Sequence, residues 1–209
     1  MSETYNPACT RCPRLARHLK QVRKQYPDYH GRPVPAFGAS RPRLLIVGLA
    51  PGLHGANASG RPFTGDFAGI LLYRALHHFG YGNRPESVSA NDGLKLSRVR
   101  ITNAVKCLPP ENKPIGSEVN NCNEFLVEEL RALGKRWTVL ALGGIAHRAV
   151  VRALGERQKD YAFGHGAVHA IDSHKYLVDS YHCSRYNTQT GRLTEAMFFE
   201  VFEKIRGLD

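Results

Sequence analysis

Leu44-Leu45-Ile46-Val47 runs directly into Gly48-Leu49-Ala50-Pro51-Gly52-Leu53-His54-Gly55-Ala56-Asn57-Ala58-Ser59-Gly60-Arg61-Pro62-Phe63-Thr64-Gly65-Asp66, and this stretch decides the fold. The apolar run reads as a buried strand. Phe67 to Phe79 has the apolar spacing of a helix. Between them lies a long Gly-rich loop at the carboxyl end of a central strand, which is where open α/β sheets bind ligands. No Lys follows its glycines, so it is not a triphosphate-binding loop, and it lacks the compact G-x-G-x-x-G of a dinucleotide site. It offers instead a flat aromatic (Phe63), a carboxylate (Asp66), an imidazole (His54) and glycines that permit close backbone approach. That set suits a planar base attached to a backbone.

The rest of the chain follows the same alternation. Val99–Val105 and Trp137–Leu142 read as further strands. Ser117–Leu133 reads as a helix with Ser117 as its cap, and Gly143-Gly144 opens another that runs to about Leu154. Ala167–Ile171 and Lys175–Tyr181 read as a strand pair, Tyr181–Thr188 as a loop, and Thr194–Ile205 as the last helix. Cys9 to Lys24 reads as a short helix after a Cys-rich entry, and Gly31–Ser40 as an irregular crossing segment. Strands alternating with helices imply an α/β fold with a mostly parallel sheet covered on both faces. With 209 residues and no internal repeat or dividing linker, a single domain over 1–209 is expected.

A hydrophobic content of 42% excludes a disordered chain, and no apolar run is long enough to span a bilayer. Met1–Pro7 lacks a signal pattern, so a cytoplasmic protein with no membrane partner is expected. Lys and Arg number 29 against 18 Asp and Glu, a formal charge of +11. The plain reading is a basic solvated surface; the functional one is a polyanion partner, most often nucleic acid. The cations are dispersed from Arg11 to Arg152, so a nucleic-acid surface would be folded, not a basic arm.

Cys9 and Cys12 form a Cys-x-x-Cys pair, Cys107 ends a strand, and Cys122 lies in the following helix. Four such thiolates suit a tetrahedral zinc or an iron–sulfur cluster, and the alternative is four unrelated reduced thiols. The interval from Cys107 to Cys122 exceeds that of common zinc ribbons and tilts the reading toward a cluster. Cys183 is left over and reads as a small buried hydrophobe.

Three blocks now carry a resemblance: Gly48–Asp66, then Lys106-Cys107-Leu108-Pro109-Pro110-Glu111-Asn112-Lys113-Pro114, then Ser180-Tyr181-His182-Cys183-Ser184-Arg185-Tyr186-Asn187-Thr188-Gln189-Thr190-Gly191. With Cys9-Thr10-Arg11-Cys12-Pro13-Arg14-Leu15, the chain resembles the uracil-DNA glycosylase superfamily, and within it family 5, also called type b. The resemblance covers almost the whole chain. It implies a three-layer α/β/α sandwich around a four-stranded, mostly parallel sheet. It also implies a [4Fe-4S] cluster on Cys9, Cys12, Cys107 and Cys122. Two positions depart from the pattern. His182-Cys183-Ser184 stands where many members have His-Pro-Ser, and Asn103 stands where family 5 usually has a small residue. Sister families place an Asn near that point to read uracil, so Asn103 bears on base preference.

The implied activity is that of a monofunctional DNA glycosylase acting on uracil in base-excision repair, a monomer whose partner is DNA carrying a flipped base. Other deaminated bases remain alternatives, as do a preference for hypoxanthine, xanthine or mismatched thymine, and a damaged-DNA-binding module without catalysis. Phe63 is expected to stack on the base, with Ala50, Gly52 and Asn103 at the base pocket. His182 is expected to donate to a base oxygen as negative charge develops there. By carry-over from the family, Asp66 acts on the cation-like sugar and the attacking water; its plain alternative is a helix N-cap. Asn112 is a second candidate for holding that water, and a turn residue otherwise. His54 is a candidate phosphate contact. Ser184, Arg185 and Asn187 belong to a loop expected to enter the minor groove. No Lys stands out as a Schiff-base nucleophile, so strand cleavage is not expected.

Overall fold

The computed structural model describes residues 4–208. In chain order its elements are α1 (Pro13–Gln25), β1 (Phe37–Gly38), β2 (Leu44–Gly48), α2 (Ala56–Ser59), α3 (Phe67–His78), β3 (Val99–Asn103), α4 (Gly116–Arg131), β4 (Trp137–Leu142), α5 (Gly144–Ala153), β5 (Val168–Asp172), β6 (Lys175–Ser180), α6 (Arg185–Gln189) and α7 (Glu195–Gly207). Short 3-10 turns lie at Pro110–Asn112 and Gln158–Asp160.

The apolar run of β2 is buried at every position because the strand sits inside the sheet with a helical layer on each face. The strand order is β1-β3-β2-β4-β6-β5 in a six-stranded sheet. The sandwich expected from the sequence is present, but the sheet has six strands, not four. β3, β2, β4 and β6 form the parallel centre. β1 pairs antiparallel with β3, and β5 antiparallel with β6, adding one edge on each side. β1 is two residues long inside the Pro- and Gly-rich segment, too short to carry an alternating pattern.

Alternation along the strands divides the core. Leu44, Ile46, Ile101, Leu140 and Val178 face α3 and α7. Leu45, Val47, Val139, Ala141 and Leu177 face α4 and α5. Leu15, Leu19 and Val22 of α1 form a third cluster with Val105, Leu108, Cys107, Cys122 and Phe125. Ala50 and Leu53 of the Gly-rich loop pack against that cluster.

Two local readings change. The N-cap of α4 is Ile115, whose backbone N–H donates to the Glu118 carboxylate at 2.9 Å; Ser117 lies within the first turn. The segment expected as a loop after β6 contains α6, capped by Ser184, which accepts from Asn187 N–H at 3.4 Å.

Candidate active site

The chain passes from β2 to β3 on one side and then to β4 on the other, so the switch point of the sheet lies at β2. A cavity of about 520 Å³ opens at the carboxyl ends of the strands there. Leu49, Ala50 and Gly52 line it after β2, Asn103 after β3, Leu142 to Ala146 after β4, and His182, Ser184 and Arg185 after β6. Phe63, Asp66, Phe67 and Asn112 complete it. The Gly-rich loop is anchored from behind. Arg61 is buried, pairs with Asp92 at 2.8 Å, and lies over the Phe37 ring at 4.3 Å. Tyr73 Oη donates to the Pro62 carbonyl at 2.7 Å.

Asp66 occupies the N-cap position of α3, yet its carboxylate makes no capping bond. Ala56 N–H donates to its Oδ2 at 3.0 Å instead. Two glycines clear the space it fills. A Cβ on Gly55 would lie 1.9 Å from Oδ1, and one on Gly52 would lie 2.5 Å from it. Burial raises the pKa of Asp66 and the Ala56 amide pulls it partly back, so the carboxylate is a stronger base than one in water.

Phe63 is buried with φ 57, a left-handed conformation that is unusual for an aromatic residue. Its ring lies nearly parallel to that of His182, 6.0 Å centre to centre. Burial alone pulls His182 down to about 4, so the imidazole is neutral at pH 7. No hydrogen bond from its ring to another protein group is found among the described residues.

Asn103 is 3% exposed at the end of β3. Its amide also has no protein hydrogen-bond partner among the described residues. Gly48 lies beneath it, where a Cβ would meet Asn103 Oδ1 at 2.5 Å and the Phe63 ring at 2.6 Å. The polar atoms of the Asn103 side chain are not sealed in the protein but open on the cavity, where a ligand can reach them. Asn112 is exposed at the rim with φ 58, next to Glu111 at φ 54.

Two expected residues lie off the cavity. His54 is exposed; its Nδ1 is 2.9 Å from Tyr29 Oη, and its ring meets the stacked pair Tyr26 and Tyr29 edge-on. Asn187 Nδ2 donates to the His182 carbonyl at 2.8 Å and so holds the loop behind the imidazole. Arg185 lies over the Phe67 ring at 5.0 Å. The sequence reading missed Phe67, Gly55 and the Leu142–Ala146 wall. Gly143-Gly144 at the end of a strand was the available signal for the wall, since that is the ligand-binding edge of such sheets.

Across β3 from this cavity, Cys9, Cys12, Cys107 and Cys122 line one small cleft with Leu15 and Phe125. Lys106 N–H donates to Cys122 Sγ at 3.3 Å, and Asn121 Nδ2 lies 3.7 Å from Cys12 Sγ. Burial pushes Cys12 and Cys107 up, and Cys122 up to about 11 despite the nearby Lys106. Among the described residues, the one group of three potential ligands with all donor atoms within 4.8 Å is His147, His169 and Asp179. Four soft donors around one apolar cleft, two of them receiving N–H groups, fit an iron–sulfur cluster.

Lys106 Nζ, buried beside this cleft, binds both Glu129 oxygens at 2.8 and 2.9 Å and also Thr102 Oγ1. His147, one turn into α5, bonds through Nδ1 to Asp179 at 2.8 Å and through Nε2 to the Tyr161 carbonyl at 2.9 Å. Both partners are acceptors, so the ring satisfies both contacts only when both ring nitrogens carry protons.

The switch-point cavity, with an aromatic ring, a buried carboxylate and unpartnered amide and imidazole groups, defines an α/β/α protein built to hold a flat polar ligand. The chain belongs to the uracil-DNA glycosylase superfamily, whose family model matches residues 35–206, and within it to the type-5 branch. It is 44% identical over 206 residues to the type-5 uracil-DNA glycosylase of Thermus thermophilus, covering 96% of this chain and 94% of the relative. It is 45% identical to the type-5 enzyme of Pyrobaculum aerophilum, over 94% and 87% of the two chains. A type-4 uracil-DNA glycosylase of the same organism is 35% identical over 62% of this chain and 58% of the relative.

Proposed function

We propose that this chain is a monofunctional DNA glycosylase that hydrolyses the N-glycosidic bond of uracil in DNA, acting as a cytoplasmic monomer. The observation that carries the reading is the Asn103 side chain, without a protein hydrogen-bond partner among the described residues, opening on one cavity with Asp66, Phe63 and a neutral His182. A carboxamide carries one donor and one acceptor side, matching the N–H and C=O edge of uracil. Phe63 supplies the flat apolar contact. As the bond from the base nitrogen to C1′ breaks, its electron pair stays with the base and charge collects on the base oxygens. The neutral His182 ring donates an N–H to one of them. Water adds to C1′, and its proton passes to the Asp66 carboxylate and on to solvent. Asn112 at the rim holds that water.

Cys9, Cys12, Cys107 and Cys122 would hold a [4Fe-4S] cluster. Bound there, it would supply iron–thiolate bonds tying the start of α1 to the end of β3 and to α4. No described helix is long and apolar enough to cross a membrane.

The decisive experiment incubates the protein with duplexes carrying uracil, hypoxanthine, xanthine or thymine opposite guanine, and scores abasic sites. Uracil is expected to be removed fastest. Duplex binding without abasic sites, or hypoxanthine removed ahead of uracil, overturns the assignment. Purified protein is expected to be brown with about four irons per chain. A colourless protein with one zinc per chain overturns the cluster.

A further inference from the structure

A second groove, of about 700 Å³, adjoins the base cavity, and Asp66, Phe67 and Arg185 line both. Its far wall carries Ile70 of α3 and Val88 of the connection between α3 and β3. These side chains are 54% and 66% exposed, two large apolar groups left in water along one groove. The geometry points to this groove as a subsite for the nucleobase next to the target, on the same DNA strand. This rests on the glycosylase reading given above.

Continuity comes first. The carboxylate assigned to the sugar sits at the junction of the two spaces, so a strand whose target base fills the cavity must leave past Asp66. The groove is the space it enters. Chemistry selects which part of the nucleotide fills it. The Arg185 guanidinium lies over the Phe67 ring at 5.0 Å and offers its own flat face, and Ile70 and Val88 extend the apolar surface around it. Such a surface stacks bases of any identity. Asp66 and Glu86 also line the groove, and Arg74 there is tied to Glu195 at 2.6 Å. Two carboxylates against one uncommitted guanidinium disfavour a phosphate and leave the neutral base as the occupant.

The test uses uracil-containing duplexes in which the nucleotide immediately 5′ or 3′ of the uracil is replaced by a tetrahydrofuran abasic residue. Affinity and single-turnover rate are both measured. On one side only, the missing base is expected to weaken binding by about 5- to 160-fold, the range for one lost base–side-chain stack. In the Ile70→Ser, Val88→Ser double variant that penalty should shrink to about twofold or less. The variant should bind the fully based duplex more weakly than the wild type. Both substitutions are at exposed positions, and melting curves verify the fold. An equal penalty in wild type and variant, or no penalty on either side, overturns the subsite. A variant that changes self-association in sedimentation but not the penalty assigns the groove to a second copy of the chain. Excision from the unmodified duplex is scored alongside. If it is absent while the one-sided penalty persists, the glycosylase reading fails and the base subsite stands.

Discussion

The base cavity and the thiol cleft both hang from the end of β3, one at Asn103 and the other at Cys107, yet their polar groups are treated in opposite ways. Around the cavity, Asn103 and His182 are held in place with no protein partner among the described residues. Around the cleft every charge is answered. Lys106 meets Glu129 and Thr102, Arg14 meets Glu118 at 2.8 Å, and Arg11 meets Glu124. A polar group left unpaired where it opens on the cavity is available to a ligand, whereas a fully paired one belongs to the scaffold. The comparison makes a general claim: loss of a side chain near the cleft should appear in stability, and loss of one in the cavity should appear in rate or affinity.

The largest effect is expected at Lys106. Its side chain and that of Glu129 are 3% and 2% exposed. Lys106→Ala strands a buried carboxylate, which costs about 3–5 kcal/mol. Denaturant unfolding measures this. The Lys106→Met, Glu129→Gln pair removes both charges and should recover most of it. If Lys106→Ala were as stable as the parent, the pair would not be scaffold.

On the cavity side, Gly55→Ala should act on Asp66 at a distance. The new Cβ cannot coexist with a carboxylate oxygen 1.9 Å away, so the carboxylate must leave the Ala56 amide. Single-turnover excision should fall by roughly 10²-fold or more, the scale for a positioned acid–base group. Asp66→Asn should fall similarly, and the double variant should be no slower than either alone. Additive losses would mean that Gly55 acts elsewhere. Next in size, Asn103→Ala should weaken binding to a uracil duplex relative to an undamaged one by about tenfold, within the 1–3 kcal/mol of a lost buried hydrogen bond. Melting temperature should hold, because no protein bond is lost.

How these residues came to be found differs along the chain. The central strands, and the helices Phe67–His78 and Glu195–Gly207, were legible because apolar periodicity is a local property. Trp137–Leu142 was placed to the residue. Edge strand β1 was not legible, since two residues carry no period and the strand exists only because β3 is beside it. Asp66 could be singled out by type and position, but sequence could not choose between capping and chemistry. That choice rests on Ala56, ten residues upstream, which takes the carboxylate away from its own helix. Asn103 was visible as a departure, whereas its lack of a partner is a three-dimensional fact. The Lys106–Glu129 and His147–Asp179 pairs gave no sequence signal, because each joins residues of two different segments more than 20 positions apart.

His147 gives the smallest expected effect and the sharpest test of the comparison, because it lies close behind the cavity wall yet is fully paired. Burial works against its charged form, but the hydrogen bond and charge of Asp179, with the Tyr161 carbonyl, outweigh it and raise the pKa above the ordinary 6.5. Nearby are also Arg148, which opposes protonation, and His169, whose Nε2 lies 3.3 Å from the same Asp179 carboxylate. A pKa raised on folding means that the native state binds a proton more tightly than the unfolded one. The resulting stability is fully present below about pH 6.5 and is lost as pH rises through the folded value. Melting temperature of the parent should therefore decline as pH rises through neutrality. His147→Gln keeps a donor toward Asp179 but cannot titrate, so its curve should be flatter over that window and start lower on the acid side. Excision rate per folded molecule should follow the same pH profile in both proteins. A variant with a melting profile parallel to the parent would show that His147 does not titrate there. A variant with normal stability but an altered rate profile would place His147 with the cavity and break the division between paired and unpaired groups.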